Sequence, residues 1–234
     1  MANKDDEEKK GGCFSKLLGI LIFLVFAGVG VAFFFISKPQ GLSDIGGYNE
    51  VAARPVSPPR DLKTVLQKSI EGGYSVTISE KEINEMLAGE LEAKQGGMLA
   101  EWVSIKRVLV RLREDVAEVV VVRDVEGYPL TTSIFLQVEQ NESQKGIMTQ
   151  VHLHGGEFHE MLPVPPRGGR FGQLTVPQGF LVLLMPDFRK IAQVFEDEIE
   201  LGFQSMGRIK IQNKRLMLDP KGPIRDSEPD STSF

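Results

Sequence analysis

The sequence is poor in several residue types on which whole classes of protein depend. Cys13 is the only cysteine among 234 residues, so no disulfide can form within one chain. The chain has one tryptophan and three histidines, and its 27 basic residues are outnumbered by 32 acidic ones. A nucleic-acid-binding protein usually presents a basic face. The net charge of −5 therefore argues against nucleic acid as a partner.

The motifs of the common catalytic folds are also missing. The sequence contains no Gly-x-Ser-x-Gly or Ser-x-x-Lys, which would mark a nucleophilic serine. It contains no Gly-x-x-x-x-Gly-Lys or Gly-x-Gly-x-x-Gly loop, which would hold phosphate groups. No single pair of carboxylates stands out for acid–base catalysis. We therefore predict a non-enzymatic protein that needs no cofactor.

What the chain does have is a long apolar run, Leu17 to Ile36, without a charged residue, Asn, Gln or Pro. As a helix rising 1.5 Å per residue it is about 30 Å long, the thickness of a bilayer's hydrocarbon core. A cleaved signal peptide has a shorter core followed by a small-x-small site, whereas this run ends in Phe33, Phe34, Phe35 and Ile36. We predict an uncleaved transmembrane anchor, with a cleaved signal and a buried core helix as alternatives.

The charges on either side of this run predict its orientation. Four lysines lie within residues 1–16, whereas Lys38 is the only base between the run and Arg54. Lysine and arginine are retained on the cytoplasmic side of a membrane. We therefore expect a single-pass protein of the inner (cell) membrane, with residues 1–16 in the cytoplasm and the main domain extracytoplasmic.

Composition divides the chain after the anchor into three parts. Residues 37–60 contain four prolines and three glycines, and they predict a flexible linker that sets the domain roughly 25 Å from the bilayer. Residues 61–218 carry the regular apolar patterns of one folded domain. Residues 219–234 are polar, acidic and proline-containing, which predicts a disordered tail.

The first half of the domain predicts helices followed by strands. Apolar residues recur at helical spacing over residues 62–70, and Ser79–Glu82 has the sequence of a capping box for a helix that ends near Lys94. Residues 102–158 then alternate with a period of two, which predicts an antiparallel meander of four strands. Val116–Val125 is apolar on both faces, as is typical of a strand covered on both sides.

The second half predicts a loop, a short strand at residues 171–176, and two helices at residues 180–185 and 188–206, separated by Pro186. A last strand is predicted at residues 209–218. Changes of apolar face predict two β-bulges, one near Lys106–Arg107 and one near Asn213. The fold class is therefore α+β, with a curved antiparallel sheet packed on an early helix and a long late helix.

Two candidate sites follow from this arrangement. His152, His154 and His159, with Glu157, have the spacing of a metal site built from a strand and its following turn, although they also suit the polar face of that strand. Phe180, Leu184, Phe188 and Phe195 are candidates to line an apolar groove between the sheet and the late helix. The same side chains also suit an ordinary close-packed core.

Two short segments, VTISEKEIN at residues 76–84 and GQLTVP at residues 172–177, carry a resemblance to a known family. They resemble the strand-to-helix entry and a second landmark of YpmS-like bacterial membrane-anchored proteins. This resemblance implies an architecture and assigns no catalytic residue. The curled sheet around a long helix is also distantly similar to tubular lipid-binding domains.

Together these patterns favour a membrane-anchored, non-enzymatic domain that binds or scaffolds another envelope protein. Lipid binding in an apolar groove is the first alternative. A metal-dependent hydrolase centred on the three histidines is the second.

Overall fold

The computed structural model describes residues 11–48, 61–94, 105–125, 127–143, 146–153 and 167–221, and over these ranges the fold is α+β, as predicted. Its helices are α1 Gly11–Ser37, α2 Leu62–Gly72, α3 Glu80–Lys94, a 3₁₀ helix Gln178–Leu183, α4 Met185–Val194 and α5 Glu196–Gln204. Its strands are β1 Val76–Ser79, β2 Ile105–Arg113, β3 Val116–Val125, β4 Tyr128–Ser143, β5 Gly146–Leu153, β6 Arg167–Phe171, β7 Leu174–Pro177, β8 Arg208–Gln212 and β9 Arg215–Asp219.

Helix α1 contains the apolar run and extends it at both ends. Its segment Ser15–Ser37 is long and apolar enough to span a membrane, and none of the most apolar part is buried against the rest of the protein. A helix that is apolar on every side and has no protein cover is suited to a lipid environment.

Local sequence signals begin and end the helices of the domain. Asp61 caps α2 by accepting a hydrogen bond from the Lys63 amide at 3.1 Å, and Gly73 in the left-handed conformation ends it. The predicted capping box at α3 is confirmed. The Ser79 amide donates to Glu82 Oε2 at 2.9 Å, and the Glu82 amide donates to Ser79 Oγ at 3.2 Å.

Within the described residues, the strand pairings are antiparallel and form two sheets. The large sheet has the order β2-β3-β4-β6-β7, with β5 paired to the second half of β4, and the small sheet has the order β1-β9-β8. The predicted bulge in β2 is confirmed by a register shift between Ile105 and Arg107. As expected, β3 lies inside the sheet, between β2 and β4.

The two sheets meet at the turn between β2 and β3. The Lys214 amide donates to the Leu112 carbonyl at 3.1 Å, and the Asp115 amide donates to the Ile211 carbonyl at 3.1 Å. The small sheet therefore closes one end of the large one, and the inner faces of both sheets point toward the helices.

Two predicted strands are hairpins in the structure. The predicted last strand is β8 and β9, and the change of face near Asn213 marks a turn with Lys214 at φ +61 rather than a bulge. The predicted strand 171–176 is the centre of the β6–β7 hairpin, whose turn contains Gly172 at φ +55. A break in alternation has the same appearance in sequence whether it arises from a bulge or from a two-residue turn.

The predicted long late helix is two helices. Helix α4 ends at Val194, Phe195 adopts φ −112 and ψ 28, and α5 begins at Glu196. Pro186 lies in the first turn of α4, where its missing amide costs no helical hydrogen bond. Because Phe195 is buried at the break, the bend keeps the apolar stripe of both helices on the core.

The first part of the predicted linker is also structured. Residues 38–48, which we call the strap, run across the outer face of the large sheet. Leu42 and Ile45 are buried there and form an apolar cluster with Leu109, Val120 and Val122. This layer explains why β3 is apolar on both faces. Residues 49–60 of the predicted linker and residues 222–234 of the predicted tail lie outside the described residues, so those predictions stay untested.

Candidate functional site: an apolar cavity

Between the inner faces of the two sheets and helices α2–α5 lies a cavity of about 450 Å³. Two apolar clusters border it. One contains Val121, Ile134 and Phe188, and the other contains Leu66 and Leu218. The large sheet faces the cavity with alternate residues of β2, β3 and β4. The period-two pattern of the sequence therefore becomes a continuous apolar wall.

The cavity opens at the surface between β5 and the two late helices. Val151 of β5 and Ile199 of α5 line the cavity, yet they are 44% and 40% exposed. Ala192 of α4 also lines the cavity and is exposed. Exposed aliphatic side chains around an apolar hollow are typical of an entrance for an apolar ligand.

Nearly the whole lining is apolar. Among the described residues that line the cavity, the polar side chains are Arg189 of α4 and Glu198 of α5. Arg189 is exposed, and in the part of the chain that the structure describes it has no carboxylate partner. The interior therefore suits hydrocarbon, whereas charged groups are available only near the late helices.

The four predicted groove residues occupy three different environments. Phe188 and Phe195 are buried and line the cavity, as the groove hypothesis expects. Leu184 is buried in the core without lining the cavity. Phe180 is 56% exposed on the 3₁₀ helix and does not line the cavity. A 3₁₀ helix has three residues per turn, whereas an α-helix has 3.6. The stripe of apolar residues expected for an α-helix therefore does not include Phe180.

The predicted metal site falls mostly outside the described residues. His152 lies in β5, opposite Gln137 of β4, whereas His154, Glu157 and His159 are not among the residues described. Among the residues that are described, no group of three potential ligands is placed to hold a metal ion. The metal hypothesis therefore stays a prediction.

The cavity-bearing domain is attached directly to the end of α1. The Gln173 amide, in the β6–β7 turn, donates to the Phe35 carbonyl at 3.0 Å. A Cβ on Gly172 would lie 2.3 Å from the Ile36 carbonyl oxygen. The Gln40 amide then donates to Thr131 Oγ1 of β4 at 2.9 Å. These contacts hold the domain at the C-terminal end of α1, a helix long and apolar enough to span a membrane.

A buried ion pair fixes the strap to the sheet. Arg111 of β2 donates to Glu118 of β3 at 2.5 Å, to the Gly41 carbonyl at 2.7 Å and to Asp44 at 2.9 Å. Burial alone would lower the pKa of Arg111, but the charges and hydrogen bonds of Glu118 and Asp44 raise it above its ordinary value. Arg111 therefore stays charged and ties both carboxylates to the strap backbone.

Sequence reasoning missed the strap and most of the cavity lining. One signal for the strap was present, since β3 is apolar on both faces and requires a cover on each. For the cavity, the alternation of β2 to β4 identified the correct face, but it gave no indication of the distance between that face and the helices.

No family model matches the chain, and no curated protein matches it in sequence.

Proposed function

We propose that this protein is a membrane-anchored lipid-binding protein whose cavity accommodates the hydrocarbon chain of a lipid. The observation that carries the proposal is an apolar cavity of about 450 Å³ in a domain docked on a helix of transmembrane length. Its size lies within the range of about 300–1,000 Å³ that is usual for small-molecule sites.

The apolar lining supports an occupant. The cavity opens at the surface, so without a ligand its apolar side chains face water or empty space. Removal of apolar surface from water is favourable by about 25 cal/mol per Å². An apolar ligand that covers the lining would therefore stabilise the domain.

The location of the domain supports a lipid as that occupant. Burial of each CH₂ group contributes about 0.8 kcal/mol, so a long acyl chain gains several kcal/mol in an apolar lining. The membrane next to α1 supplies such chains at high local concentration. In this proposal the domain lies outside the cytoplasm and performs no chemical reaction.

The cavity reverses the order in which the sequence ranks protein binding and lipid binding. The sequence favours a role in binding another envelope protein, with lipid binding second. The cavity favours lipid, because a lining of alternate apolar strand residues fits hydrocarbon and offers few hydrogen-bonding groups to a peptide. Architectural similarity to YpmS-like proteins remains part of the proposal, resting on residues 76–84 and 172–177.

Photocrosslinking of the full chain in nanodiscs tests the proposal. The bilayer contains phosphatidylcholine with a diazirine near the end of one acyl chain, and mass spectrometry locates the adducts. We expect adducts on α1, which reports the bilayer, and also on the peptide that contains Phe195 and Ile199, which lines the cavity. Adducts confined to α1 would show that lipid does not enter the cavity.

A cavity-filling variant distinguishes lipid that enters the cavity from lipid that only contacts the surface of the domain. Gly202 lines the cavity, and an added Cβ there meets no atom within 4 Å. Gly202→Phe should therefore occupy the void and reduce the domain adducts roughly tenfold, the equivalent of about 1.4 kcal/mol, while leaving those on α1. Gln193→Phe, at an exposed position of α4 outside the lining, is the matched control and should retain both sets.

A further inference from the structure

The β6–β7 turn lies beyond the C-terminal end of α1 and not along its side. The Gln173 amide donates to the Phe35 carbonyl, and Gly172 is in close contact with the carbonyl oxygens of Ile36 and Lys38. The last four carbonyls of a helix have no partner inside the helix and point past its end. Since these carbonyls meet the turn, the turn lies at the membrane surface when α1 spans the bilayer.

The register of the large sheet places the start of β4 beyond this turn. The Gly172 amide donates to the Thr131 carbonyl at 2.7 Å, and Phe171 pairs with Thr132. β4 begins three residues before Thr131, at Tyr128. At about 3.3 Å per residue, the start of β4 lies roughly 10 Å past the turn, away from the body of the domain.

The distance from the β6–β7 turn to the start of β4 is comparable with the thickness of the headgroup layer. That layer occupies about 5–8 Å on each side of the hydrocarbon core. Tyr128 is 75% exposed and is followed by the exposed Pro129. Tyrosine is enriched at membrane–water interfaces, because its ring is apolar and its hydroxyl is polar.

We propose that Tyr128 at the start of β4 inserts into the headgroup region and forms a second contact of the domain with the bilayer. This inference rests on the proposed membrane anchoring by α1, and it does not depend on lipid entering the cavity. The partner is a lipid surface, because the hydrogen bonds of the β6–β7 turn hold this end of the sheet at the end of the membrane helix.

The inference is tested by tryptophan fluorescence of the full chain in phosphatidylcholine vesicles, with and without brominated acyl chains. Trp102→Phe removes the chain's one native tryptophan, and single tryptophans are then introduced by Tyr128→Trp, Tyr74→Trp and Phe26→Trp. Tyr74 is the matched control. It is an exposed tyrosine just before β1 of the small sheet, which joins the opposite end of the large sheet. The ten residues of β3 separate the two ends by about 30 Å.

We expect brominated lipid to reduce the emission of Tyr128→Trp about twofold, with a blue-shifted spectrum, since a headgroup position is within contact range of the acyl chains. Tyr74→Trp should keep its emission. Quenching of Phe26→Trp in α1 tests the anchor separately. If Phe26→Trp is quenched and Tyr128→Trp is not, the second contact is overturned while the anchor stands. If Phe26→Trp is not quenched, the anchoring proposal fails and the inference fails with it.

Discussion

At the scale of single residues, side chains of α3 cover the free edge of β2. Asn84 accepts from the Val110 amide at 2.6 Å and donates to the Val110 carbonyl at 2.9 Å and the Gly46 carbonyl at 2.8 Å. Glu80, one turn earlier, accepts from the Leu112 amide at 2.7 Å. Such cover protects the backbone groups of an edge strand from pairing with another chain.

Replacement of Asn84 tests this cover. Asn84→Leu would leave the Val110 and Gly46 groups buried without partners, and we expect a loss of about 3 kcal/mol in the free energy of unfolding. The measurement is urea denaturation of the full chain in detergent, followed by circular dichroism. Gln67→Leu, which removes an exposed amide from α2, should change stability by no more than about 0.5 kcal/mol. Equal effects of the two substitutions would contradict the role of Asn84.

At the scale of elements, the strap is the least expected part of the fold. Its sequence is rich in glycine and polar residues, yet four of its amides are hydrogen-bonded. Gln40 donates to Thr131 Oγ1. Ile45 donates to the Leu42 carbonyl, Gly46 to Glu80 Oε1 and Tyr48 to the Ile45 carbonyl. The two buried apolar side chains, Leu42 and Ile45, are three positions apart in the sequence. They pack against Leu109, Val120 and Val122 of the sheet without producing a periodic pattern long enough to predict a helix or strand.

Hydrogen exchange distinguishes a docked strap from a flexible linker. In the wild-type chain we expect the amides of Ile45, Gly46 and Tyr48 to exchange slowly. A fully buried isoleucine contributes about 1.5–3 kcal/mol, so Ile45→Asp should accelerate their exchange roughly tenfold or more. Ser43→Asp adds the same charge at an exposed strap position and should leave the rates unchanged. Rapid exchange of these amides in the wild-type chain would restore the flexible-linker prediction.

At the scale of the whole molecule, α1, the strap and the large sheet are connected at several points, so the cavity has a set position relative to the helix end. Gly172 is central to this connection. Its φ of +55 suits glycine, and the surrounding carbonyl oxygens of α1 leave no room for a side chain.

Gly172→Ala should therefore loosen the domain from α1. A left-handed alanine and the clash with backbone oxygens together cost about 2–4 kcal/mol, and the Tm of the full chain in nanodiscs should fall by roughly 5–10 °C. Brominated lipid should also quench Tyr128→Trp less in this background. Gly179→Ala adds the same methyl group in open space, so its Tm should stay close to that of the wild type. A Tm equally unchanged in both variants would show that the contact at Gly172 does not hold the domain.

The sequence by itself determined the features that depend on near neighbours in the chain. The apolar run of α1, the capping box at Ser79, the bulge in β2, the central position of β3 and the α+β class all follow from short-range patterns, because they depend on spacing and local backbone hydrogen bonds. The change of apolar face near Asn213 can arise from a bulge or from a turn, and the predicted bulge was wrong because the structure has a turn there.

The tertiary structure alone decided which distant surfaces meet. The strap lies on the sheet because an outer face of Leu109, Val120 and Val122 required a cover. The late helix bends at Phe195 because its apolar stripe follows the core. The cavity exists because the inner wall of the sheets and the late helices are too far apart for their side chains to fill the space. Apolar periodicity identifies the face of an element that is buried, but the distance across which that face meets its neighbour is set by the packing of the whole domain.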